Sequence, residues 1–361
     1  MQNAHLGTAR YPVMRDRFLM AVGIKDVAKV AQVSPATVSR VLAGRPVDPA
    51  MKDRVQAAVK STGYRPNLAA RRLRSQHTNT IGLIVADIRN PYFTSVSRTI
   101  ERVAAERGFS VILSNTDEDP AQEAKYLELM QQERVAGVIL APSRQRVDRA
   151  GKLSLDCPVV LIDRAMPQTG HDCVLLDNEA MAALLVEHLH AEGHRHIAGL
   201  FGAASSTGVA RRAGFERAAD QLGMNAAAVA IPHESDAAER VVAELLQGAK
   251  RPDALVASNG VMVLTVLRAL RTLGLDVPRD IALAGFDNND WMEFVGEGLT
   301  VIEQPVEEIG RTAMTMLFDR FDHPGGPARR VVLDGRLIAR GSSTLAGNVG
   351  RRGLMPPQPS L

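Results

Sequence analysis

Ten short apolar runs recur along the chain between Thr80 and Pro305. They read IGLIVADI, GFSVILSNT, VAGVILAP, PVVLIDR, CVLLDN, HIAGLFGA, AVAIPH, DALVASN, DIALAGFD and LTVIEQP, and segments rich in Ala, Leu and Glu separate most of them. Continuous apolar strands that alternate with helices are typical of parallel sheets covered on both faces. Because ten strands are many for one such sheet, the pattern predicts two sheets rather than one.

The stretch Ile24 to Gly44, IKDVAKVAQVSPATVSRVLAG, has helical periodicity instead. Its first apolar residues recur at i, i+3, i+4 and i+7, which predicts a short helix; they are Ile24, Val27, Ala28 and Ala31. Ser34 suits the N-cap and Pro35 the first turn of a second helix that should end near Ala43. Two short helices joined by three or four residues predict a helix-turn-helix. An ordinary helical hairpin within a larger core remains the alternative.

The second predicted helix has a face of small or hydrogen-bonding residues away from its apolar stripe. With its cap, this face comprises Ser34, Pro35, Ala36, Thr37, Ser39 and Arg40. Small residues permit close approach to a DNA groove, amides and hydroxyls at a helix N-terminus can meet phosphate, and Arg40 can pair with a guanine edge. The competing interpretation of Arg40 is a solvated surface arginine.

Charge is distributed unevenly, although the whole chain of 361 residues carries only +3. Residues 24–76 contain 11 Lys and Arg against 3 Asp, a net charge of +8. The remainder after residue 76 is therefore acidic. A basic head on an acidic body is typical of a nucleic-acid-binding part joined to a separate regulatory part.

Asp48-Pro49 repeats the N-cap and N1 pattern, so a third helix should run from Pro49 to about Thr62. Its residues predicted to be buried are Met51, Val55, Ala58 and Val59. After Arg65-Pro66-Asn67, the run from Leu68 to Ser75 is compatible with a helix but is too short to be helical alone in water. A plain basic linker is the other reading of this run.

IKDVAKVAQVSPATVSRVLAG, followed by GYRPNLAARRLRSQHTNTIGLIVAD, resembles the lactose-repressor (LacI/GalR) family of bacterial transcription regulators. The resemblance covers roughly Ile24 to Ser343. It implies an N-terminal all-α helix-turn-helix DNA-binding domain, followed by an α/β periplasmic-binding-protein-like domain of two Rossmann-like lobes. The crossovers between the lobes would lie near Asp177, Gln304 and Arg330.

The resemblance also implies double-stranded operator DNA as a partner and a homodimer as the binding form. The run after Asn67 would become a hinge helix that folds on the operator and pairs with its dimer mate in the minor groove. Asn67, Ala70 and Leu73 would contact DNA there, and Leu73 matches the family's wedge leucine. The segment after Ser343 has no leucine heptads, so a dimer is expected rather than a zipper-linked tetramer.

Ligand contacts in open α/β sheets lie beyond the carboxyl ends of the strands. That rule selects Asp87 to Phe93, Asp163-Arg164, Asp177-Asn178, Ser205 to Arg211, Asn259 and Asp287. Each alone could instead be a cap or a turn residue. Together they offer carboxylates and amides for hydroxyl pairs, arginine for an anion and aromatics for a sugar face.

The family resemblance sharpens this set of effector contacts. Arg211, Asn259 and Asp287 match the family's main hydroxyl-binding positions, and Tyr92 and Phe93 match its aromatic wall. The resemblance fixes the roles of the other three residues less closely. The full predicted effector set is Asn90, Tyr92, Phe93, Arg164, Arg211, Asn259, Asp287 and Trp291. Trp291, the only tryptophan, is expected either to line the cleft or to pack beside it.

A sugar acid is the expected effector rather than a neutral sugar. Arg164 and Arg211 both stand at expected cleft-facing ends, and a carboxylate suits a bidentate arginine. GFDNNDW and the downstream VGEGLTVIEQPVEEIGR look most like the gluconate and ketogluconate regulators of the family. Against this, Asp163 could neutralise Arg164, and Arg211 serves neutral sugars elsewhere in the family.

Catalytic and cofactor motifs are not found: the sequence contains no GxSxG, P-loop, HExxH or dinucleotide fingerprint. We therefore expect neither an enzyme nor a bound cofactor or metal, although His188, His190, His194 and His196 are clustered in sequence. Cys157 and Cys173 lack metal-ligand spacing and indicate reduced cytosolic thiols. With no convincing signal peptide and no run long enough to span a membrane, a cytoplasmic location is expected.

The predicted organisation has five parts: a disordered tail over 1–22, the helix-turn-helix domain over 23–64, a hinge over 65–79, the effector-binding and dimerisation domain over 80–345, and a flexible tail over 346–361. An effector-gated repressor accounts for both the basic head and the two-lobed body. A periplasmic-type solute-binding protein accounts only for the body, and an α/β enzyme lacks a nucleophile or acid–base set.

Overall fold

The computed structural model describes residues 22–42, 44–64, 78–143, 153, 155–165, 170–203, 206–231, 235–248 and 250–345. Backbone contacts divide the chain into two compact units, Met1–Gln76 and His77–Leu361. The predicted tails and most of the predicted hinge lie outside the described residues, so those boundaries remain predictions.

The first unit is the predicted three-helix bundle. Its helices are α1 (Ile24–Ala31), α2 (Pro35–Leu42) and α3 (Pro49–Thr62). Ser34 Oγ accepts the backbone N–H of Thr37 over 3.1 Å, and Asp48 Oδ1 accepts that of Met51 over 3.1 Å, so both predicted caps are confirmed. The buried cluster between the helices consists of Val27, Ala28, Ala31, Val38, Val55 and Ala58.

The predicted burial of Met51 is wrong, because its side chain is 39% exposed. Met51 lies in the first turn of α3, ahead of Val55 and Ala58, the residues of this helix that reach the cluster. Val59 packs against the cluster while remaining partly exposed.

The second unit consists of alternating strands and helices. In chain order they are β1 (Thr80–Val85), α4 (Pro91–Glu106), β2 (Ser110–Asn115), α5 (Pro120–Gln132), β3 (Gly137–Leu140), β4 (Val159–Ile162), β5 (Asp172–Leu176), α6 (Asn178–Ala191), β6 (His196–Gly202), α7 (Ser206–Gln221), β7 (Asn225–Ile231), α8 (Ser235–Gln247), β8 (Ala254–Ala257), α9 (Gly260–Thr272), β9 (Ala282–Phe286), β10 (Thr300–Glu303), α10 (Val306–Asp322), β11 (Arg330–Leu333) and β12 (Arg336–Ile338). Short 3₁₀ helices cover Asp290–Phe294 and Gly341–Ser343.

The strands form two six-stranded sheets, one in each lobe. The first-lobe sheet has the order β11-β5-β4-β3-β1-β2 and the second-lobe sheet the order β12-β10-β9-β8-β6-β7. Every pairing is parallel except that of β10 with β12. Central strands such as β1, β3, β4 and β8 are buried along their whole length because helices cover both faces. The prediction of two α/β lobes is confirmed.

All ten apolar runs contain strands, but β11 and β12 are absent from that prediction. These two lie at sheet edges, and neither contains a fully buried residue. An edge strand needs no continuous apolar run, so it does not stand out in the sequence. The chain passes between lobes after Leu176, after Glu303 and between Leu333 and Arg336, which places the third crossover slightly beyond the predicted position near Arg330.

Candidate functional site

A cavity of about 430 Å³ lies between the two lobes of the second unit, at the carboxyl ends of the parallel strands. All eight residues predicted to contact an effector line it: Asn90, Tyr92, Phe93, Arg164, Arg211, Asn259, Asp287 and Trp291. The structure therefore brings the predicted set together from both lobes. Contact with a ligand remains a prediction for each of them.

Two aspartates face this cavity from equivalent places in the two lobes. Asp163 follows β4 and Asp287 follows β9, and each of these strands is third in the order of its sheet. Both aspartates have left-handed backbones, with φ of 66° and 71°. Aspartate adopts this conformation more readily than most side chains. Burial raises the pKa of the Asp163 carboxyl, although Arg164 and Arg211 oppose that rise.

Arg211 places a buried guanidinium in the second-lobe wall. Its Nε donates to Asn178 Oδ1 over 2.8 Å, Nη1 donates to the Ser258 carbonyl, and the guanidinium carbon lies 4.0 Å from the centre of the Phe286 ring. Only 4% of Arg211 is exposed, and burial lowers its pKa against the opposing influence of Asp287. Among the described residues no carboxylate lies within 4.0 Å of its nitrogens. Arg211 is thus fixed in place but can still donate to a ligand through Nη2.

Asp287 is held by two donors beside the cavity. Its Oδ2 accepts the Gly260 backbone N–H over 2.8 Å, and its Oδ1 accepts the Gln304 side-chain amide over 2.6 Å. A side chain at Gly260 would lie 2.6 Å from Asn289 Nδ2, so the Asn289 amide would have to move to make room for one. The contacts fix the carboxylate so that its remaining lone pairs can accept ligand hydroxyls.

Asn90 and Asn259 are both helix caps and cavity residues. Asn90 Oδ1 accepts the Tyr92 N–H over 3.1 Å at the start of α4, and Asn259 Oδ1 accepts the Met262 N–H over 2.7 Å at the start of α9. Capping uses only the side-chain oxygen. The amide nitrogens remain as donors, so capping and ligand binding are compatible.

Three aromatic residues contribute to the wall. The Tyr92 and Phe93 rings pack edge to face, with centroids 5.0 Å apart. Burial raises the pKa of the Tyr92 hydroxyl well above its usual value, and the Asp163 charge adds to this effect. Trp291 lines the cavity and also packs against the second-lobe core, so both expectations for it are met.

Arg164 lines the cavity, but its guanidinium is already bound within the first lobe. Nη1 and Nη2 donate to the two carboxylate oxygens of Glu118, and Nε lies 3.1 Å from Asp163 Oδ2. Burial opposes its charge, but Glu118 and Asp163 outweigh that cost and raise its pKa. Arg164 therefore does not support a sugar acid as the effector, because two carboxylates already balance its charge.

Several cavity residues are absent from the predicted set. Those with charged, amide or hydroxyl side chains are Asp87, Arg89, Glu118, Asp163, Thr207, Thr265, Arg268, Asn289 and Gln304. The segments selected by the strand-end rule already contain Asp87, Arg89, Asp163 and Thr207. Glu118 and Gln304 follow β2 and β10, so the strand-end rule applied to every strand finds both. Arg268 lies in the middle of α9, where no strand-end signal marks it.

The helix α2 carries the predicted DNA-reading face in the first unit. Ser34, Pro35, Ala36 and Arg40 are exposed, while Thr37 and Ser39 are partly exposed. The Ser34 and Thr37 hydroxyls are 2.9 Å apart, and no carboxylate among the described residues lies within 4.0 Å of the Arg40 guanidinium. Arg40 can therefore reach an external partner. Asn67, Ala70 and Leu73 lie outside the described residues.

The clustered histidines have a structural role in the second lobe. His188 Nε2 lies 2.8 Å from Ser343 Oγ, and His194 Nε2 lies 2.9 Å from the Ser343 carbonyl oxygen, so both secure the segment after β12. The described part of the chain contains no group of three or more His, Cys, Asp or Glu that could hold a metal. Within the same residues, no helix is long and apolar enough to cross a membrane.

Family models match both units. Residues 23–67 match the model described as bacterial regulatory proteins, lacI family, and residues 186–343 match a periplasmic binding protein-like domain. The regulator PtxS of Pseudomonas plecoglossicida, named an HTH-type transcriptional regulator, is 34% identical over 90% of this chain and 96% of its own length. The ribose operon repressor of Escherichia coli K12 is 33% identical over 89% of this chain and 99% of its own.

Solved structures show the same architecture. The lac repressor dimer bound to operator and the anti-inducer ONPF aligns with a TM-score of 0.79 at 25% identity, covering 89% of this chain and 99% of that one. The CelR–cellobiose complex aligns with a TM-score of 0.63 at 27% identity over the same shares of the two chains. The predicted combination of a helix-turn-helix domain and a two-lobed binding domain is therefore confirmed.

Proposed function

This chain belongs to the lacI family of bacterial regulatory proteins, and on that premise we propose that it is a repressor whose operator binding is controlled by a sugar or sugar acid. The operator is palindromic, and the protein binds it in the cytoplasm as a homodimer. One observation carries this proposal: a single chain combines a helix with an exposed face of hydrogen-bonding side chains and a cleft between two lobes whose wall carries carboxylate, guanidinium and amide groups suited to a polyol. The protein acts by binding and not by catalysis.

Operator binding is assigned to α2 and to the segment that follows α3. The exposed small residues Pro35 and Ala36 permit close approach to the major groove, Ser34 and Thr37 lie at the helix N-terminus near phosphate, and Arg40 pairs with a guanine. Ser39, one residue before Arg40, completes this contact face. Asn67, Ala70 and Leu73 contact the minor groove in a hinge that becomes helical on DNA, and the leucine opens a base step.

Effector recognition is assigned to the cavity between the lobes. Asp287 accepts hydroxyls, while Arg211 and Asn259 donate to them, and all three belong to the second lobe. Tyr92 and Phe93 supply an apolar wall from the first lobe. Relatives with cellobiose in their solved structures or ribose in their names support a ligand of the sugar class.

Coupling between the two sites requires that the effector bind one arrangement of the lobes better than another. The cavity is bordered by residues of both lobes, so a bound ligand favours whichever lobe arrangement completes its contacts. Three crossovers join the lobes and can transmit that preference to the paired hinges. The resulting change in operator affinity is a coupling free energy and is reciprocal with effector affinity.

The test uses a DNA fragment from upstream of the operon that lies beside this gene. The fragment is chosen because it carries a palindrome. Purified full-length protein should protect the palindrome from nuclease digestion and bind it with a steep salt dependence. At least one of the added ligands gluconate, 2-ketogluconate, glucose and ribose should change the affinity of the protein for this operator. Arg211→Ala should abolish that change, read as the ratio of affinities with and without ligand. Failure to protect any such palindrome, with or without ligands, would refute the proposal.

A further inference from the structure

We propose that Asn178 sets the charge of the ligand that the cleft accepts. It holds the Arg211 guanidinium through a neutral oxygen and so leaves the positive charge for an acid group of the effector. Asn178 is then a positioning residue, which acts on the ligand through Arg211. This inference rests on the proposed function, because it concerns the effector of the same cleft. The strand-end rule selects Asn178 as a cleft residue, but neither that rule nor the family resemblance assigns it this role.

Arg211 is held by three groups, and none of them carries a negative charge. Its Nε donates to Asn178 Oδ1 over 2.8 Å, its Nη1 donates to the Ser258 carbonyl, and its guanidinium carbon lies 4.0 Å from the centre of the Phe286 ring. Neutral oxygens and an aromatic face fix the direction of a guanidinium without cancelling its charge. Among the described residues no carboxylate lies within 4.0 Å of its nitrogens. The Nη2 group therefore remains as a charged donor on the cavity wall.

Arg164 on the first-lobe wall is equally buried but is held by carboxylates. Glu118 accepts from both Nη1 and Nη2, and Asp163 Oδ2 lies 3.1 Å from Nε. Burial opposes the charge of Arg164, but these carboxylates outweigh it and raise its pKa. For Arg211 burial prevails over the opposing charges of Asp287 and Asp163, which lie beyond 4.0 Å, and its pKa is lowered. Of these two arginines, Arg211 is the one whose cost of burial an added anion would reduce.

The Asn178 amide is fixed at both ends, so its oxygen and not its nitrogen faces Arg211. Its Nδ2 donates to the Leu176 carbonyl oxygen over 3.1 Å, while its Oδ1 accepts from Arg211 Nε. A guanidinium can only donate and a carbonyl can only accept, so the reverse orientation would lose both bonds. Asn178 begins α6, and it is not among the described residues that line the cavity. Its influence on the effector therefore passes through Arg211.

The charge that Arg211 retains distinguishes an acid group from a hydroxyl. A hydrogen bond between a guanidinium and a carboxylate joins two charges and is roughly twice as strong as one between neutral groups. Asp287 on the same wall is held by Gly260 and Gln304, so it accepts hydroxyls and repels a carboxylate. The second-lobe wall thus offers a position for an acid group at Arg211 and a position for hydroxyls at Asp287.

The test compares D-gluconate with D-glucitol, which has the same carbon chain but a CH₂OH group in place of the carboxylate. Affinities of the full-length protein are measured from Trp291 fluorescence, and wild type should bind gluconate more tightly. Asn178→Asp keeps an acceptor for Arg211 Nε but adds a negative charge. Gluconate binding should then weaken about tenfold, the effect of a unit charge about 6 Å from the ligand acid at an effective dielectric constant of about 40. Glucitol binding should change less than about threefold, because glucitol carries no charge to repel.

Asn225→Asp is the matched control. Asn225 is exposed at the amino end of β7, whereas the cavity lies at the carboxyl ends of the strands, so the same added charge there should change neither affinity. Thermal unfolding checks that each variant folds. Arg211→Gln tests the inference independently of the fold of Asn178→Asp, because it removes the positive charge itself and should abolish the preference for gluconate.

Four results would overturn the inference. They are wild-type protein that does not bind gluconate more tightly than glucitol, unchanged gluconate affinity in Asn178→Asp, an equal loss for both ligands in that variant, and a gluconate preference that persists in Arg211→Gln. Repeating the titration with wild-type protein on its operator separates this inference from the proposed function. If a neutral sugar changes the operator affinity and gluconate does not, the repressor assignment stands and the role of Asn178 falls.

Discussion

The side-chain amide of Gln304 donates to Oδ1 of Asp287 over 2.6 Å. This contact determines which way round the amide lies, because the reverse orientation would set two oxygens against each other. Gln304 Oε1 is therefore directed away from Asp287, and among the described residues this buried oxygen has no hydrogen-bond donor. A buried acceptor without a donor is costly, so the hydrogen bond to Asp287 is the contact that holds this amide in place.

Replacing Gln304 with Met should weaken effector binding by about 1–3 kcal/mol, because the donor that holds the Asp287 carboxylate is lost. Trp291 fluorescence measures the affinity, and thermal unfolding checks that the variant folds. Gln132→Met is the matched control, since the Gln132 side chain is exposed and, among the residues that the structure describes, bonds only to Glu128 along its own helix. Equal affinities in wild type and Gln304→Met would show that Asp287 does not need the Gln304 amide to bind the ligand.

Replacing Arg40 with Ala should cost about 1–3 kcal/mol of operator binding and relax the preference for guanine at one symmetric position. Lys52→Ala and Lys60→Ala on α3 provide the comparison. The loss of a contact to phosphate should weaken binding to all sequences alike and reduce the salt dependence of binding. Selection from a randomised operator library measures the preference at each position. An unchanged preference everywhere in Arg40→Ala would remove Arg40 from the reading role.

Replacing Leu73 with Ala should weaken operator binding and reduce DNA bending, because alanine is too short to open a base step. A circular-permutation assay measures the bend angle, and effector affinity should not change. Circular dichroism should also show helix gained when operator is added, since the run from Leu68 to Ser75 is too short to be helical alone. The same bend angle with Leu and Ala at position 73 would rule out the wedge.

Lowering the pH should remove the stability contributed by Asp172. Burial alone would raise the pKa of this carboxyl, but hydrogen bonds from Arg320 and Arg329 outweigh it and lower the pKa to about 2. Because the folded-state pKa lies below the unfolded value of about 3.9, the stabilisation is full above that value and is lost as pH falls towards 2. It should amount to about 2 kcal/mol.

Urea unfolding of wild type and Asp172→Asn at several pH values measures this contribution. The difference in unfolding free energy should be largest near neutral pH and should shrink as the pH approaches 2. Asp319→Asn serves as the control, because Asp319 bonds Arg329 from a half-exposed position. A wild-type advantage over Asp172→Asn that does not depend on pH would contradict the assignment.

Replacing Gly214 with Ala should destabilise the second lobe by about 1–3 kcal/mol, the usual cost of overpacking. A side chain at Gly214 on α7 would lie 2.1 Å from the Glu179 carbonyl oxygen on α6, so the two helices would have to separate. Gly325→Ala is the control, because a side chain there meets nothing within 4 Å. Equal unfolding midpoints for the two variants would show that α6 and α7 have room to adjust.

The sequence alone determined the elements of this protein and the positions at which function could reside. Caps such as Ser34 and Asp48 act within a few residues, and continuous apolar runs mark central strands wherever they occur, so local rules suffice for both. The strand-end rule selected Asp287, Asn259 and the segment from Asp87 to Phe93, because parallel strands place their carboxyl ends at one edge.

Tertiary structure decided which of these residues are available to a ligand. Arg164 and Arg211 are equivalent candidates in the sequence, yet Glu118, 46 residues away in sequence, binds the first guanidinium and no carboxylate binds the second among the described residues. The helix α9 likewise carries Arg268 to the cavity, although nothing in its local sequence separates it from Arg271. Pairing across the fold depends on distances that no local pattern encodes, and so the charge left for the effector could be assigned only from the assembled lobes.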